Sequence, residues 1–368
     1  MKRILFSLIL ILSIVNTTWG KGFTLGAGVN TYYSDNIFFN STAISDFVNV
    51  FSANINYTSK HTNLYFDGDF SMFAENSEFN SYRIEPGIEL LKYLKGRNYI
   101  YFNLSYPVLA YSDYYTDFNY YGPSVEFGFK HYLSSSILFK SGYNLELRTY
   151  PNFSSFDFSN HTLFVELNKF FSSQTTIRLQ TGLNYRFYRH IAKISPGSDW
   201  EMDNKRDSVN SMSVPNISGI IRISQGIGSR FGFYVEGELR KNYRGLDEAE
   251  TLINNSYIIY PYNDNYLWDG NRISFGLRFI PFAEIAVSGK ISIMNKNYPG
   301  IFVMDEEGIV VEPETERDDK LFLLNISISK KFRKLNTYIS FVFRDNSSAD
   351  FFFDYQMLTL SAGIRYYF

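Results

Sequence analysis

The stretch LTLSAGIRYYF, residues 358–368, decides the fold. In steps of two it gives Leu358, Leu360, Ala362, Ile364, Tyr366 and Phe368, with Thr359, Ser361, Gly363, Arg365 and Tyr367 between them. One set is apolar and the other largely polar, which is the two-residue period of a strand lying between two different media. The pattern recurs upstream. RISFGLRF (272–279) sets Ile273, Phe275, Leu277 and Phe279 against Arg272, Ser274, Gly276 and Arg278. TIRLQTGLNYRF (176–187) sets Ile177, Leu179, Leu183, Tyr185 and Phe187 against Arg178, Gln180, Gly182, Asn184 and Arg186. Charge stays on one face.

Counting such segments from Gly22 predicts about sixteen strands, with fourteen or eighteen as neighbouring counts, at the ~10-residue length that crosses a bilayer. Short connections such as TSKHT, LKGRN, FSSQ, GIGS and FRKLN carry the Gly, Ser, Asn and Lys of tight hairpins. They alternate with longer ones, notably 190–211, 244–267 and 297–319. An antiparallel meander built this way has turns at one end and loops at the other.

Composition narrows the function classes. The chain has 368 residues, a formal charge of -2, no cysteine and 19% aromatic residues. A near-neutral balance gives no electrostatic case for nucleic acid, and the missing cysteines exclude disulfides, thiol nucleophiles and Cys-ligated metals. MKRILFSLILILSIVNTTWG (1–20) has Lys2 and Arg3, an apolar run from Ile4 to Val15 and small residues near its end. It reads as a cleaved signal peptide, too short in its apolar part for the ~20 residues of a spanning helix. Residues 21–368 then form a single domain.

A soluble sandwich would rarely set Arg, Glu and Lys opposite a near-continuous Ile, Leu and Phe stripe through so many repeats. A membrane barrel does, facing lipid with the apolar stripe and water with the polar one. The expectation is therefore an all-β, closed antiparallel up-and-down transmembrane β-barrel, with the last strand paired to the first, GFTLGAGVNTYY (22–33). An even strand count places both termini on the periplasmic, short-turn side of a bacterial outer membrane. Tyr93, Tyr99, Tyr132, Phe170, Phe171, Phe332 and Tyr338 near the turns, and Tyr111, Tyr150, Phe187, Tyr188 and Tyr243 near the loops, are read as two aromatic girdles at the headgroups.

Two resemblances accompany this reading. Gly363, Tyr366 and Phe368 resemble the C-terminal assembly signal of bacterial outer-membrane barrels, implying the barrel-assembly machinery as a partner beside lipid and lipopolysaccharide. LGAGVNTYYSDNIFFN (25–40), with Asp35 and Asn36 after an aromatic pair, resembles the opening of the putative beta-barrel porin family associated with surface-polysaccharide loci. That resemblance implies polysaccharide-export proteins as partners. Asp35 and Asn36 equally suit a turn cap.

No catalytic constellation stands out. Ser159, Asn160 and His161 are consecutive, so a strand points them to alternate faces and they cannot line up as nucleophile, orienter and base. No enzyme activity, cofactor or metal is expected. The bore-facing register predicts an acidic wall of Asp67, Asp69, Glu85, Glu89, Glu126, Glu146 and Glu166, with Arg83, Lys130, Lys140 and Arg148 interleaved. It predicts a basic wall of Arg178, Arg186, Arg222, Arg272, Arg278, Lys290, Arg344 and Arg365, with Glu236 and Glu238 as exceptions. Such walls either set a transverse field or collapse into ion pairs across the bore.

Tyr32, Tyr65, Tyr101 and Tyr234 are bore-facing, as stacking surfaces for sugar rings or as packing. SDYYTD (112–117) is too short for an infolded constriction, and 245–266, with Leu252, Ile253, Ile258 and Ile259, is the substitute. The acidic run 304–319 reads as a solvated surface loop. The function predicted is a porin-like channel for passive diffusion of small hydrophilic solutes, saccharides included. The alternative is a structural or export component of surface-polysaccharide assembly without an open channel.

Overall fold

The computed structural model describes residues 22–112, 115–188, 212–243, 268–307, 311 and 315–368. Its strands are β1 (Phe23–Ser34), β2 (Asp46–Thr58), β3 (Thr62–Phe73), β4 (Ser81–Tyr93), β5 (Tyr99–Ser105 and Val108–Tyr111), β6 (Tyr120–Tyr121 and Ser124–Ser134), β7 (Ile137–Arg148) and β8 (Phe158–Phe170). There follow β9 (Thr175–Tyr188), β10 (Met212–Ile227), β11 (Phe231–Asn242), β12 (Asp269–Phe279), β13 (Ile285–Phe302), β14 (Glu316–Phe332), β15 (Leu335–Ser348) and β16 (Tyr355–Tyr367). Each pairs antiparallel with its sequence neighbour, and β1 pairs with both β2 and β16, closing a sixteen-stave barrel.

The breaks in β5 and β6 have one cause. Pro107 and Pro123 lack the N–H a ladder needs. They lie beside each other, with Gly122 N–H donating to Pro107 O at 3.3 Å and Tyr106 N–H to Pro86 O at 3.0 Å. Proline thus interrupts the ladder within these staves without ending them.

At the seam, Val29 faces Ile364 and Gly28 faces Arg365, and Phe368 N–H donates to Leu25 O at 2.9 Å. Asp35 extends the seam beyond β1, because its N–H reaches Leu358 O at 3.2 Å and its carboxylate accepts from Leu358 N–H at 2.7 Å. Asn36 is fully buried and donates to Asn40 O and Gln356 O. The Asp-Asn pair is therefore a clasp between the first loop and the last strand, which accounts for these two residues structurally.

Alternation holds around the wall. Ile273, Leu239, Ile339 and Ile364 are exposed on the outer face, whereas Glu236, Glu238, Ser274 and Ser292 of the other parity are buried within the barrel. An apolar exterior around a charged interior suits hydrocarbon outside and water inside, and closure leaves no unpaired edge.

Three boundaries and assignments need correction. The connection expected at 297–319 is shorter, because β13 continues to Phe302 and β14 begins at Glu316. Asp319 is buried, bonded by Arg317 at 2.5 and 2.9 Å, so the end of the acidic run is wall and not solvated loop. Several expected girdle residues face inward: Tyr99 shares the parity of Tyr101, Tyr132 pairs with Leu138, and Lys130 lies over the Tyr99 and Tyr132 rings at 5.1 and 5.4 Å. Phe171, Phe332 and Tyr243 of the expected set are exposed on the outer face, where Phe23, Phe231, Phe279 and Tyr366 join them near the turns and Tyr82, Tyr121 and Tyr185 near the loops.

Candidate functional site

The bore begins as a lattice of side chains that leave alternate positions of neighbouring strands. On β9 to β12, Arg178, Arg222 and Arg272 converge on Glu236, at 2.8, 2.5 and 3.4 Å. Glu238, two residues along, binds Arg272 at 2.5 Å and Arg240 at 3.3 Å. These carboxylates, expected as exceptions in a basic wall, are its hubs. Arg222 also lies 4.2 Å over the Tyr234 ring, which fixes its plane.

The acidic wall is braced in the same lateral way. Lys140 and Asn168 both donate to Glu166 at 2.7 Å, Tyr101 donates to Glu126 at 2.5 Å, and Arg148 binds Glu146 at 2.6 Å. Asp67, Asp69 and Glu85 gather with Arg83, Arg365 and Tyr65 around a recess of about 450 Å³ beside the seam, with Gly26, Gly28 and Ser52 in its lining. Arg83 bonds Glu85 at 2.5 Å. Glu89 pairs in register with Asn63 and Asn103 on that wall.

Among the described residues, each bore-facing ion pair joins groups on one strand or on strands at most two apart. The charges therefore brace the wall along its circumference. The alternative of ion pairs across the bore is not what these residues form.

The remaining predicted cations divide into two groups. Arg186 and Arg344 stack on Phe158 and Phe39 at 4.0 and 4.8 Å, toward the loop end, where Arg240 and Arg317 similarly cover Trp268 and Tyr298. Lys290 and Arg278 face the bore on β13 and β12, opposite Gly276 and Ser288 in register. Leu252, Ile253, Ile258 and Ile259 lie outside the described residues.

Of the tyrosines considered as sugar-stacking surfaces, Tyr65, Tyr101 and Tyr234 lie flat over Gly87, Gly128 and Gly276 of the next strand, and Tyr338 does the same over Gly363. A Cβ at any of these glycines would overlap the ring. The rings are wall packing, and Gly363 has a seating role beside its place in the terminal motif. Tyr366 points outward and packs edge-on to Phe368 at 4.8 Å.

One recurrent element escaped the sequence reading. Among the described residues, four loops close with a short 3-10 turn ending in Phe and followed by Asn or Asp: Phe79-Asn80, Phe118-Asn119, Phe156-Asp157 and Phe353-Asp354. In each, the Asx side chain accepts from a backbone N–H at the end of the preceding strand or just beyond it: Phe73, Tyr111 and Tyr150 at 2.7 Å, and Ser348 at 3.2 Å. The Phe rings join neighbouring loops, with Phe38–Phe79, Phe79–Tyr115 and Phe118–Phe156 centroids 4.5, 4.1 and 6.4 Å apart. The signal was the repeated Phe-Asx before a strand.

No protein-family model and no curated protein matches the sequence. Solved structures do share the fold. Acinetobacter baumannii OccAB2 aligns with a TM-score of 0.54 at 7% identity, over 94% of this chain and 98% of that one. A protein described as a bacterial polysaccharide outer membrane secretin aligns with a TM-score of 0.52 at 7% identity, over 95% of this chain and 100% of that one. The architecture is thus that of a bacterial outer-membrane β-barrel.

Proposed function

We propose that this barrel lies in a bacterial outer membrane, with both termini on the periplasmic side, and conducts small hydrophilic solutes, saccharides among them, by passive diffusion. The observation that carries the reading is the lateral bracing of the bore's charges. Ion pairs along the wall keep Arg, Lys, Asp and Glu side chains at a hydrated surface, which lowers the barrier to polar solutes. The apolar outer face supports lipid and lipopolysaccharide as its surroundings, and Gly363, Tyr366 and Phe368 are proposed as the motif that barrel-assembly machinery reads.

Planar-bilayer recording of refolded protein tests the reading, with stepwise conductance expected. A folded, heat-modifiable barrel that inserts without conductance would refute it. In that case loss of surface polysaccharide on gene deletion would favour the export or assembly role, in which polysaccharide-export proteins are the partners.

A further inference from the structure

We infer that the Glu236 hub is a station for one anionic group of a passing solute, a carboxylate in the first instance; this rests on the channel reading. The geometry separates the two charges in depth. Glu236 is 3% exposed, whereas Arg178, Arg222 and Arg272 are 24, 30 and 25% exposed. The carboxylate lies behind the guanidiniums, so the bore meets cations.

The charges are also unequal in number. Among the described residues, Arg178, Arg222 and Arg272 share two carboxylates, Glu236 and Glu238. Lys290, one strand further on, faces the same cluster and makes no ion pair or hydrogen bond among the described residues. The Nε atoms of Arg178 and Arg272 are buried without an acceptor, so donors outnumber acceptors within the cluster. Glu236 thereby holds three arginines in place without neutralising them, and an entering carboxylate meets the exposed parts of guanidiniums already fixed in position.

Tyr234 adds orientation. Its ring lies over Gly276 and under Arg222, so the guanidinium is fixed by the ring on one face and by Glu236 along its Nε–Nη2 edge, which leaves the opposite face toward a ligand. Arg278, exposed on β12 between the hub and the short-turn end, extends the positive surface along the same wall. The recess of Asp67, Asp69 and Glu85 lies on β3 and β4, half the barrel away in strand order.

The test uses glucuronate and glucose, which share a pyranose ring and differ by the carboxylate. In bilayers the channel is expected to favour chloride over potassium, and glucuronate to interrupt the current where equal glucose does not. Lys290→Gln, which breaks no hydrogen bond or ion pair among the described residues, is expected to weaken the interruption about tenfold, the scale of one charge-assisted hydrogen bond. Arg222→Gln should act in the same direction.

Calorimetry of detergent-refolded protein reads binding whether or not the bore conducts. Absence of glucuronate binding, equal effects of the two sugars, or binding unchanged in both variants would overturn the station. Binding that follows the variants in a barrel without conductance would uphold the station and overturn the channel reading alone.

Discussion

An arginine carried along the outer face of β12 should cost most near its centre, because the stave crosses the full apolar band. A strand rises about 3.4 Å per residue and tilts about 40°, or roughly 2.6 Å per residue along the membrane normal. Phe279 ends the strand at the short turn, so Leu277 and Ile273 stand two and six residues from that boundary. They therefore lie about 5 and 16 Å inward, against an apolar band about 25 Å tall. Ile273, 63% exposed, sits close to the midplane. Ile273→Arg should cost about 2–4 kcal/mol and Leu277→Arg about 1 kcal/mol. Arg278→Leu, on the bore side and without an ion partner among the described residues, should change stability by less than about 0.5 kcal/mol. Urea-dependent folding into phosphatidylcholine vesicles, followed by tryptophan fluorescence, measures all three. Equal losses at Ile273 and Leu277, or a loss at Arg278 matching Ile273, would show that the outer face does not meet hydrocarbon in this register.

Gly276→Val places a branched side chain beneath Tyr234, and displacement of the ring should cost about 1–3 kcal/mol. The same substitution in a Tyr234→Ala background should cost much less, a non-additivity that a double-mutant cycle detects. Asp157→Ala removes the acceptor for Tyr150 N–H and should cost about 1–3 kcal/mol while opening residues 149–157 to added protease. Unchanged protease resistance would remove the latch role. Deleting Phe368 is expected to lower the amount of assembled barrel while export to the periplasm proceeds; normal surface-exposed levels would contradict the proposed terminal motif.

The barrel was legible because alternation is a local property that closure cannot change. Once Ile273 and Arg272 take opposite faces, every neighbour in register follows, and short turns fix the order of the staves. The proline breaks in β5 and β6 did not disturb the count, since the polar and apolar sets resume in phase with the paired strands. The girdles were less legible. Tyr suits both headgroups and the flat packing over glycine, and only the partner strand decides, as Gly128 does for Tyr101 and Gly363 for Tyr338. The hub was missed because it depends on three strands outside Glu236's own: Arg178, Arg222 and Arg272 are brought together by register, and nothing within five residues of Glu236 announces them. By contrast, the Phe-Asx closures were present in the sequence as a repeat and needed only comparison among loops.

The size of the barrel explains why its charges pair sideways. Sixteen staves spaced about 4.8 Å apart and tilted about 40° enclose a backbone diameter on the order of 30 Å. Side chains reaching about 7 Å from each wall leave a gap of more than about 10 Å, exceeding the ~8 Å Debye length at physiological salt. Asp67 on β3 and Glu236 on β11 are eight staves apart, so their two clusters lie on opposite sides and are screened from each other. Each cluster must find its counter-ions nearby, which is what the Arg178–Glu236, Arg222–Glu236 and Arg83–Glu85 pairs do. A solute consequently meets two separate charged stripes. Asp67→Asn and Lys290→Gln should then shift the reversal potential in opposite directions, and the double variant should show the sum. Bi-ionic recordings at 0.1 M salt measure this, and strong non-additivity would mean that the walls approach closely enough to interact.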